Sequence, residues 1–375
     1  MKLVRILAAL GLGACAGRDA TSPAVSETAL RDGVDAATVG SVYTQTNDAN
    51  ANAVRIFSRA SNGSLTFVAD VPTNGKGNGA PGLGSQASVI IAEGQFLLVV
   101  NAGSSQISSF RIEAGGGLTL VETIASGGTM PVSVAARGRL VYVLNAGSDN
   151  VTGFTLDATG DLTALVGSTR SLSGSGVGPA QVAFDPLGRR LVVTEKGTSK
   201  ISVFAVNANG MLGALTANSS SGMTPFGFEF SKSGQLIVSE AFGGAPNASA
   251  TSSYGFGEGT MLVPLSKSVP TTETAACWVV ITSDQRFVYV TNTGSNTITG
   301  YALAPNGTLR RLTDNGVSGT TQGSPIDAVI VGQFLYTLDR ASGVISIFTI
   351  NTNGSLTSVG SKTGLPTTAY GLIAR

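Results

Sequence analysis

Residues 131–170 read PVSVAARGRLVYVLNAGSDNVTGFTLDATGDLTALVGSTR and hold one complete copy of the unit that decides the fold. Four short, mostly apolar runs, 131–136, 140–145, 151–156 and 162–169, are separated by turns rich in glycine, asparagine and aspartate. Short runs divided by such turn residues predict four antiparallel β-strands. Four antiparallel strands are the content of one blade of a β-propeller.

The turn before the fourth strand recurs seven times as glycine, any residue, then leucine or methionine. Its glycines are Gly63, Gly116, Gly160, Gly210, Gly259, Gly307 and Gly354, spaced 44–53 residues apart. A strand-rich repeat of about fifty residues is typical of propellers. The third strand of each repeat carries one aromatic residue, predicted to pack between blades: Phe57, Phe110, Phe154, Phe204, Tyr254, Tyr301 and Phe348.

The two ends of the repeat region complement each other. Residues 41–44 match the second strand of a blade, and residues 367–373 match a first strand. The C-terminal segment should therefore complete the first blade and remove open sheet edges. The sequence predicts an all-β, seven-bladed propeller over 41–375, with four antiparallel strands per blade and a ring closed by the C-terminal strand.

The first forty residues indicate export rather than fold. Residues 1–15 have a basic start and an apolar run, and end in Leu12-Gly13-Ala14-Cys15, which resembles a bacterial lipobox. This predicts a lipoprotein signal peptide with lipid on Cys15; the alternative is an ordinary secretory signal that contains a cysteine. Residues 16–40 are small, polar and aperiodic, and predict a flexible tether to a membrane of the cell envelope.

Composition excludes several classes of function. Net charge is +1 and charged residues make up 12%, so nothing favours nucleic-acid binding. Histidine is absent, which excludes histidine bases, histidine metal ligands and a Ser-His-Asp triad. No phosphate-binding loop, nucleophile elbow or metal-spaced ligand set occurs. We expect no cofactor and no metal, and a monomer.

Polar residues at strand ends mark a candidate site on one face of the propeller. Second strands end in Asn101, Asn145, Glu195, Glu240, Asn292 and Asp339, and inner strands begin near Gln181, Trp278 and Asp327. These residues are predicted to ring the mouth of the central channel. Two alternatives stay open: strand-end Asn and Asp can bond their own turns, and Trp278 can be core or pocket wall. A five-residue insertion after Glu240 is predicted to act as a partial lid.

Two segments carry a family resemblance. Residues 287–298, FVYVTNTGSNTI, resemble the Tyr-Val-Thr-Asn repeat of surface-layer-type propellers and the blades of the seven-bladed lactonase family. That family includes 6-phosphogluconolactonases and carboxymuconate cyclases. Residues 182–189, VAFDPLGR, strengthen the second match. The resemblance covers about 41–375 and implies the propeller fold and activity on a small acidic sugar lactone.

The resemblance also defines the roles of individual residues. Family members carry a His-Pro-His stretch where this chain has residues 178–181, GPAQ, and an arginine after the strand end that survives here only as Arg340. A lactone hydrolase of this kind would use Glu240 or Glu195 as base and Arg340 to hold a substrate carboxylate. The other hypothesis is a non-catalytic binding lipoprotein with a small-molecule or glycan ligand.

Overall fold

The computed structural model describes residues 36–79 and 82–375. Within this part of the chain, seven antiparallel sheets form the blades of a propeller, accompanied by two single-turn 3-10 helices, Phe242–Gly244 and Arg340–Ser342. The predicted all-β, seven-bladed architecture is confirmed.

Each blade is named by its position along the chain. Blade 1 holds β1 Thr38–Gln45, β2 Ala53–Ala60, β3 Leu65–Pro72 and, from the C-terminus, β30 Tyr370–Ala374. Blade 2 holds β4 Val89–Ala92, β5 Phe96–Asn101, β6 Gln106–Ile112 and β7 Leu118–Ala125. Blade 3 holds β8 Pro131–Arg137, β9 Leu140–Asn145, β10 Asn150–Leu156, β11 Leu162–Ala164 and β12 Arg170–Ser171.

The remaining blades repeat the pattern. Blade 4 holds β13 Pro179–Phe184, β14 Arg190–Glu195, β15 Lys200–Val206 and β16 Leu212–Ser219. Blade 5 holds β17 Pro225–Phe230, β18 Leu236–Glu240, β19 Ala250–Phe256 and β20 Leu262–Pro270. Blade 6 holds β21 Ala276–Ile281, β22 Phe287–Asn292, β23 Thr297–Leu303, β24 Leu309–Arg311 and β25 Gly319–Thr320. Blade 7 holds β26 Pro325–Val331, β27 Phe334–Asp339, β28 Val344–Ile350 and β29 Leu356–Lys362.

The inner strands β4, β8, β13, β17, β21, β26 and β30 surround the central channel, and later strands of each blade lie farther out. We call the face where the inner strands begin the upper face. The lower face carries the hairpins to the second strands. In blades 3 and 6 the outermost strand is split into two short pieces that pair with the same third strand.

The C-terminal strand closes the ring, as predicted. β30 pairs antiparallel with β1, with Tyr43 opposite Ile373 and Gln45 opposite Tyr370. Backbone bonds between Ser41 and Arg375, at 3.1 and 2.9 Å, extend the pairing. Blade 1 therefore depends on both ends of the repeat region.

Neighbouring blades are joined at the recurrent glycine turns. A tyrosine of one blade donates a hydrogen bond of 2.8–2.9 Å to the glycine carbonyl of the next blade, in the pairs Tyr43–Gly116, Tyr142–Gly210, Tyr289–Gly354 and Tyr336–Gly63. At Gly63 φ is +87°, and a Cβ would lie 2.6 Å from the Phe334 ring. Close approach and backbone conformation both demand glycine there.

The third-strand aromatics form the core between blades, as the repeat predicts. All seven, Phe57 through Phe348, are at most 2% exposed. No helix in the described residues is long and apolar enough to cross a membrane. Cys15 and most of the predicted tether lie outside the described residues.

Candidate functional site

Glu195, at the end of β14, is fully buried. Its carboxylate accepts hydrogen bonds from the Ser173 backbone N–H at 3.1 Å, from Thr198 Oγ1 at 2.8 Å and from Ser202 Oγ at 2.6 Å, and also from Ser173 Oγ. These donors belong to blade 4 and to the loop leading into it. Glu195 thus holds together the upper turns of its own blade.

Glu240, at the end of β18, is also fully buried. It accepts from the Gly222 backbone N–H at 2.8 Å, from Ser252 Oγ at 2.6 Å and from Ser268 Oγ at 2.7 Å. Glu195 and Glu240 do not ring the channel mouth as expected, because each is buried and enclosed by donors of its own blade and of the loop that leads into it. Their contacts are those of structural acceptors.

Glu240→Gln should destabilise the protein by about 1–3 kcal/mol. The amide nitrogen cannot accept a hydrogen bond, so at least one buried donor around Glu240 would lose its acceptor. The measurement is the urea midpoint of unfolding. Glu258→Gln, at an exposed turn of the same blade, is the matched control and should leave the midpoint unchanged. An unchanged midpoint for Glu240→Gln would show that the buried network tolerates the amide.

The other strand-end residues are buried too. Asn101, Asn145, Asn292 and Asp339 are 0% exposed. Asn101 donates to Ser108 Oγ at 2.8 Å, and Asn292 donates to Thr299 Oγ1 at 2.9 Å. Asn101 Oδ1 also accepts from Asn52 Nδ2, in the β1–β2 turn of blade 1, at 2.9 Å. The predicted polar ring is therefore buried, and its members bond other groups of the protein. Burial also raises the pKa of the Asp339 carboxyl to about 7.

The insertion after Glu240 forms the 3-10 helix Phe242–Gly244 and an exposed turn. The Gly243 N–H donates to Thr224 Oγ1, and the Asn247 N–H donates to Thr274 Oγ1, each at 3.0 Å. These partners lie just before the inner strands of blades 5 and 6. The insertion thus bridges two blade rims, and its role as a lid stays a prediction.

Trp278 lies at the centre of the propeller, not at its surface. It is 0% exposed, with ring centroids 5.0 Å from Phe226 and 6.1 Å from Tyr370. Its Nε1 donates to the Ser85 carbonyl at 2.9 Å. Of the two sequence alternatives, the structure selects core.

Residues 82–88, which we call the crossing segment, explain this burial. The segment precedes β4 and crosses the upper end of the channel. Ser85 Oγ donates to the Val132 carbonyl of blade 3 at 2.7 Å, and the Gln86 N–H donates to the Ala180 carbonyl of blade 4 at 3.1 Å. The upper channel mouth, predicted as the site, is therefore filled by the chain itself.

Two polar side chains of the upper channel hold Gly84 of the crossing segment. The Gly84 N–H donates to Tyr370 Oη at 3.0 Å, and its carbonyl accepts from Lys196 Nζ at 2.5 Å. Lys196 also lies 4.8 Å over the Phe226 ring, and burial lowers the pKa of its ammonium to about 8. This cation is engaged above the channel by the protein's own backbone.

Below the crossing segment the channel contains a cavity of about 450 Å³. Gln86 forms its ceiling and spans the channel to blade 6, where its side-chain amide bonds the Val279 N–H at 3.1 Å and carbonyl at 2.9 Å. A volume of this size falls within the range of small-molecule sites. Of the predicted site residues, the structure brings Gln181 and Asp327 together in this lining.

The polar residues of the lining also satisfy the edges of the inner strands. Gln181 accepts from the Phe228 N–H at 2.7 Å and donates to its carbonyl at 2.9 Å. Asp327 accepts from the N–H groups of Ala328 at 2.8 Å and Leu372 at 3.0 Å. These bonds connect blade 4 to blade 5 and blade 7 to blade 1.

A second carboxyl in the lining, Glu229 of β17, was missed by sequence reasoning. Oε2 accepts from the Ile281 N–H at 2.7 Å, and Oε1 has no hydrogen-bond partner among the described residues. In strand register, Glu229 corresponds to six apolar residues of the other blades: Ile90, Ala135, Ala183, Val280, Val329 and Ile373. A lone carboxylate at an otherwise apolar repeat position was the available signal.

Burial changes the protonation of both cavity carboxyls. It raises the pKa of Glu229 to about 8, against the opposing effect of the Ile281 hydrogen bond. It also raises the pKa of Asp327 well above its ordinary value. At neutral pH Glu229 is therefore largely protonated but within reach of deprotonation, and burial favours the neutral form of Asp327. Carboxyls tuned toward neutrality inside a cavity are a common feature of acid–base sites.

Arg340, predicted to hold a substrate carboxylate, opens the 3-10 helix that follows β27 on the upper side. Its backbone N–H bonds the Ser324 carbonyl at 3.1 Å. It does not belong to the cavity lining, and no lysine or arginine of the described residues does. The structure thus separates the predicted anion-binding residue from the cavity carboxyls.

The molecule is thus a seven-bladed propeller whose axial cavity is lined by two acid groups. The chain belongs to the seven-bladed β-propeller lactonase family, whose profile matches residues 49–177, 168–241 and 250–370. The resemblance to this family seen in the sequence is confirmed. No curated protein sequence matches the chain.

Solved structures agree on the fold. A putative 6-phosphogluconolactonase from Bacteroides fragilis is 19% identical with a TM-score of 0.71, covering 90% of this chain and 98% of its own. A putative 6-phosphogluconolactonase from Bacteroides uniformis is 18% identical with a TM-score of 0.72, and the match covers 90% of this chain and 99% of its own. The periplasmic gluconolactonase of Pseudomonas aeruginosa is 19% identical with a TM-score of 0.69, and the match covers 88% of this chain and 98% of its own.

Proposed function

We propose that this propeller hydrolyses a small lactone in the channel cavity, with Glu229 as general base. The observation that carries the proposal is the position of Glu229: a carboxyl with a raised pKa, in a cavity of about 450 Å³, where the other blades place apolar residues. Membership of the lactonase family supports the reaction class.

The chemistry requires Glu229 to take up a proton and then to return it. A water held at Oε1 attacks the lactone carbonyl carbon and gives its proton to the carboxylate as the new C–O bond forms. The ring C–O bond then breaks as protonated Glu229 returns that proton to the leaving alkoxide, which yields the hydroxy acid and regenerates the carboxylate. A base with a pKa near the working pH combines availability with strength. Asp327, whose pKa burial raises well above its ordinary value, supplies a second carboxyl group in the same lining.

Glu229→Gln should lower kcat/KM for a hydrolysed lactone by about 10²–10⁴-fold, the usual contribution of a general base. In the wild-type protein kcat/KM should rise with pH and level off above about 8, the pKa of Glu229. Steady-state hydrolysis between pH 5 and 9 measures both. Glu258→Gln is the exposed control. A variant that retains wild-type activity would refute the role of Glu229.

Stability should follow the same group. The folded pKa of Glu229, about 8, exceeds its ordinary value of 4.5, so the folded state binds the proton more tightly. Its contribution is full below pH 4.5 and is lost as pH rises through 8. Glu229→Gln should therefore lose less stability than wild type between pH 5 and 9.

A second candidate function is ligand binding without catalysis. It is favoured by the crossing segment, which fills the upper channel, and by Glu195 and Glu240, whose oxygens are occupied by structural donors. A small-molecule or glycan ligand that stabilises the protein without being turned over would support it.

Export is part of the proposal. The supporting features are the lipobox-like Leu12-Gly13-Ala14-Cys15 and the structural likeness to a periplasmic gluconolactonase. Cys15→Ser should move the protein from the membrane fraction to the soluble fraction of a bacterial host, because a lipid anchor is lost. Unchanged membrane association would exclude lipidation at Cys15.

A further inference from the structure

We infer that the cavity accepts an uncharged lactone with an apolar substituent and rejects phosphorylated or carboxylated sugar lactones. The inference rests on the proposed function where it concerns hydrolysis. The selectivity of the cavity can also be measured by ligand binding without hydrolysis. It departs from the acidic sugar lactone that the family resemblance implies.

The first argument is charge. Both ionisable side chains in the lining, Glu229 and Asp327, are acids. Lys196 Nζ is held above the ceiling of the cavity by the Gly84 carbonyl and the Phe226 ring. A phosphate or carboxylate bound below Gln86 would lose its water and gain no cation. An unpaired buried charge is strongly unfavourable.

The second argument is hydrogen-bonding capacity. The amides of Gln86 and Gln181 each already bridge an N–H and a carbonyl of a neighbouring inner strand. Among the lining side chains, Glu229 Oε1 has no hydrogen-bond partner in the described residues and keeps its full capacity for a ligand. A sugar lactone with several ring hydroxyls would leave most of them against aliphatic surface, at about 1–3 kcal/mol for each unsatisfied group.

The third argument is the shape of the apolar wall. Ile90, Val280, Val329 and Ile373 lie at equivalent register positions around the cavity. Together they offer an aliphatic belt at the level of Glu229. An alkyl substituent placed against this belt gains about 0.8 kcal/mol per buried methylene. The lactone carbonyl then faces the carboxyl side of the cavity.

The charge argument also accounts for product release. Hydrolysis converts a neutral lactone into a hydroxy carboxylate, and the cavity offers that anion only acidic groups. Because no lysine or arginine of the described residues lines the cavity, the buried product anion has no cation to pair with. The same feature that excludes acidic substrates should therefore expel the product.

The test compares four probes on the full chain: δ-octalactone, glucono-δ-lactone, 6-phosphogluconolactone and the stable acid 6-phosphogluconate. We expect kcat/KM for δ-octalactone to exceed that for glucono-δ-lactone by at least about tenfold, the equivalent of one unsatisfied hydroxyl. We expect no measurable turnover of 6-phosphogluconolactone. In thermal unfolding, δ-octalactone should raise Tm and 6-phosphogluconate should not.

Two variants test whether the aliphatic belt is the surface that selects apolar substituents. Val329→Thr adds a hydroxyl to the aliphatic belt and should narrow the ratio between δ-octalactone and glucono-δ-lactone. Val263→Thr, at an exposed outer-strand position, is the control and should leave the ratio unchanged. An unchanged ratio for Val329→Thr would place the selecting surface elsewhere and overturn the inference.

The outcomes separate the two proposals. If δ-octalactone raises Tm but nothing is hydrolysed, catalysis by Glu229 fails and the selectivity stands. If glucono-δ-lactone or 6-phosphogluconolactone is the better substrate and turnover still requires Glu229, the selectivity fails and the proposed function stands. If no probe is hydrolysed and none raises Tm, both fail.

Discussion

Removal of residues 366–375 should prevent the protein from folding. The deletion takes away β30, the inner strand of blade 1, and exposes the edge of β1. Tyr370 and Leu372 are 1% and 4% exposed, and Tyr370 packs against Trp278. Burial of two such side chains is worth several kcal/mol, a large share of a total stability of about 5–15 kcal/mol.

The measurement is soluble yield together with thermal unfolding by circular dichroism. Removal of residues 1–35 is the matched control, because the first described strand begins at Thr38 and all seven blades remain. The control should melt cooperatively at the wild-type temperature. A C-terminally shortened protein that does the same would show that the ring holds without β30.

The sequence predicted the blades because their information is local. The turn glycines, the alternation of each strand and the third-strand aromatics recur in every unit, so each repeat supports the interpretation of the others. Ring closure was also predictable, since one end of the repeat region lacks a first strand and the other end supplies one. These features need no knowledge of distant contacts.

The crossing segment was not predictable in the same way. Residues 82–88 read GLGSQAS and carry no period, and their partners are in blades 1, 3, 4 and 6. The one local trace is the spacing of 53 residues from Gly63 to Gly116, the longest of the six. An extra stretch of chain indicates an insertion, but only the fold shows that it enters the channel.

The burial of the strand-end acids was not predicted, for a related reason. Strand-end acids look exposed in a sequence, but around Glu195 and Glu240 the nearby Ser and Thr hydroxyls and turn N–H groups supply enough donors to bury them. Glu229 was not predicted because it lies near the lower end of β17, away from the second-strand ends and inner-strand entries that defined the predicted site. Comparing the blades residue by residue along the inner strand would have found it.

Trp278→Ala should destabilise the protein by about 3–5 kcal/mol, the usual cost of removing a fully buried aromatic side chain. Trp278 joins Phe226 of blade 5, Tyr370 of blade 1 and the Ser85 carbonyl of the crossing segment. Its loss opens a cavity in the upper channel and leaves that carbonyl without its donor. Chemical unfolding measured against Phe67→Ala, a 46% exposed aromatic on β3, isolates the effect of burial.

Trp278→Phe divides the effect into its two parts. Phenylalanine keeps an aromatic ring between blades 5 and 1 but cannot donate to Ser85, so the added cost of the lost bond should be about 1–3 kcal/mol. If the tryptophan anchors the crossing segment, both variants should also increase amide hydrogen exchange at Gly84 and Gln86. Destabilisation without faster exchange there would mean that Trp278 supports only the blades, and that Lys196, Tyr370 and the Gln86 amide suffice to hold the segment across the channel.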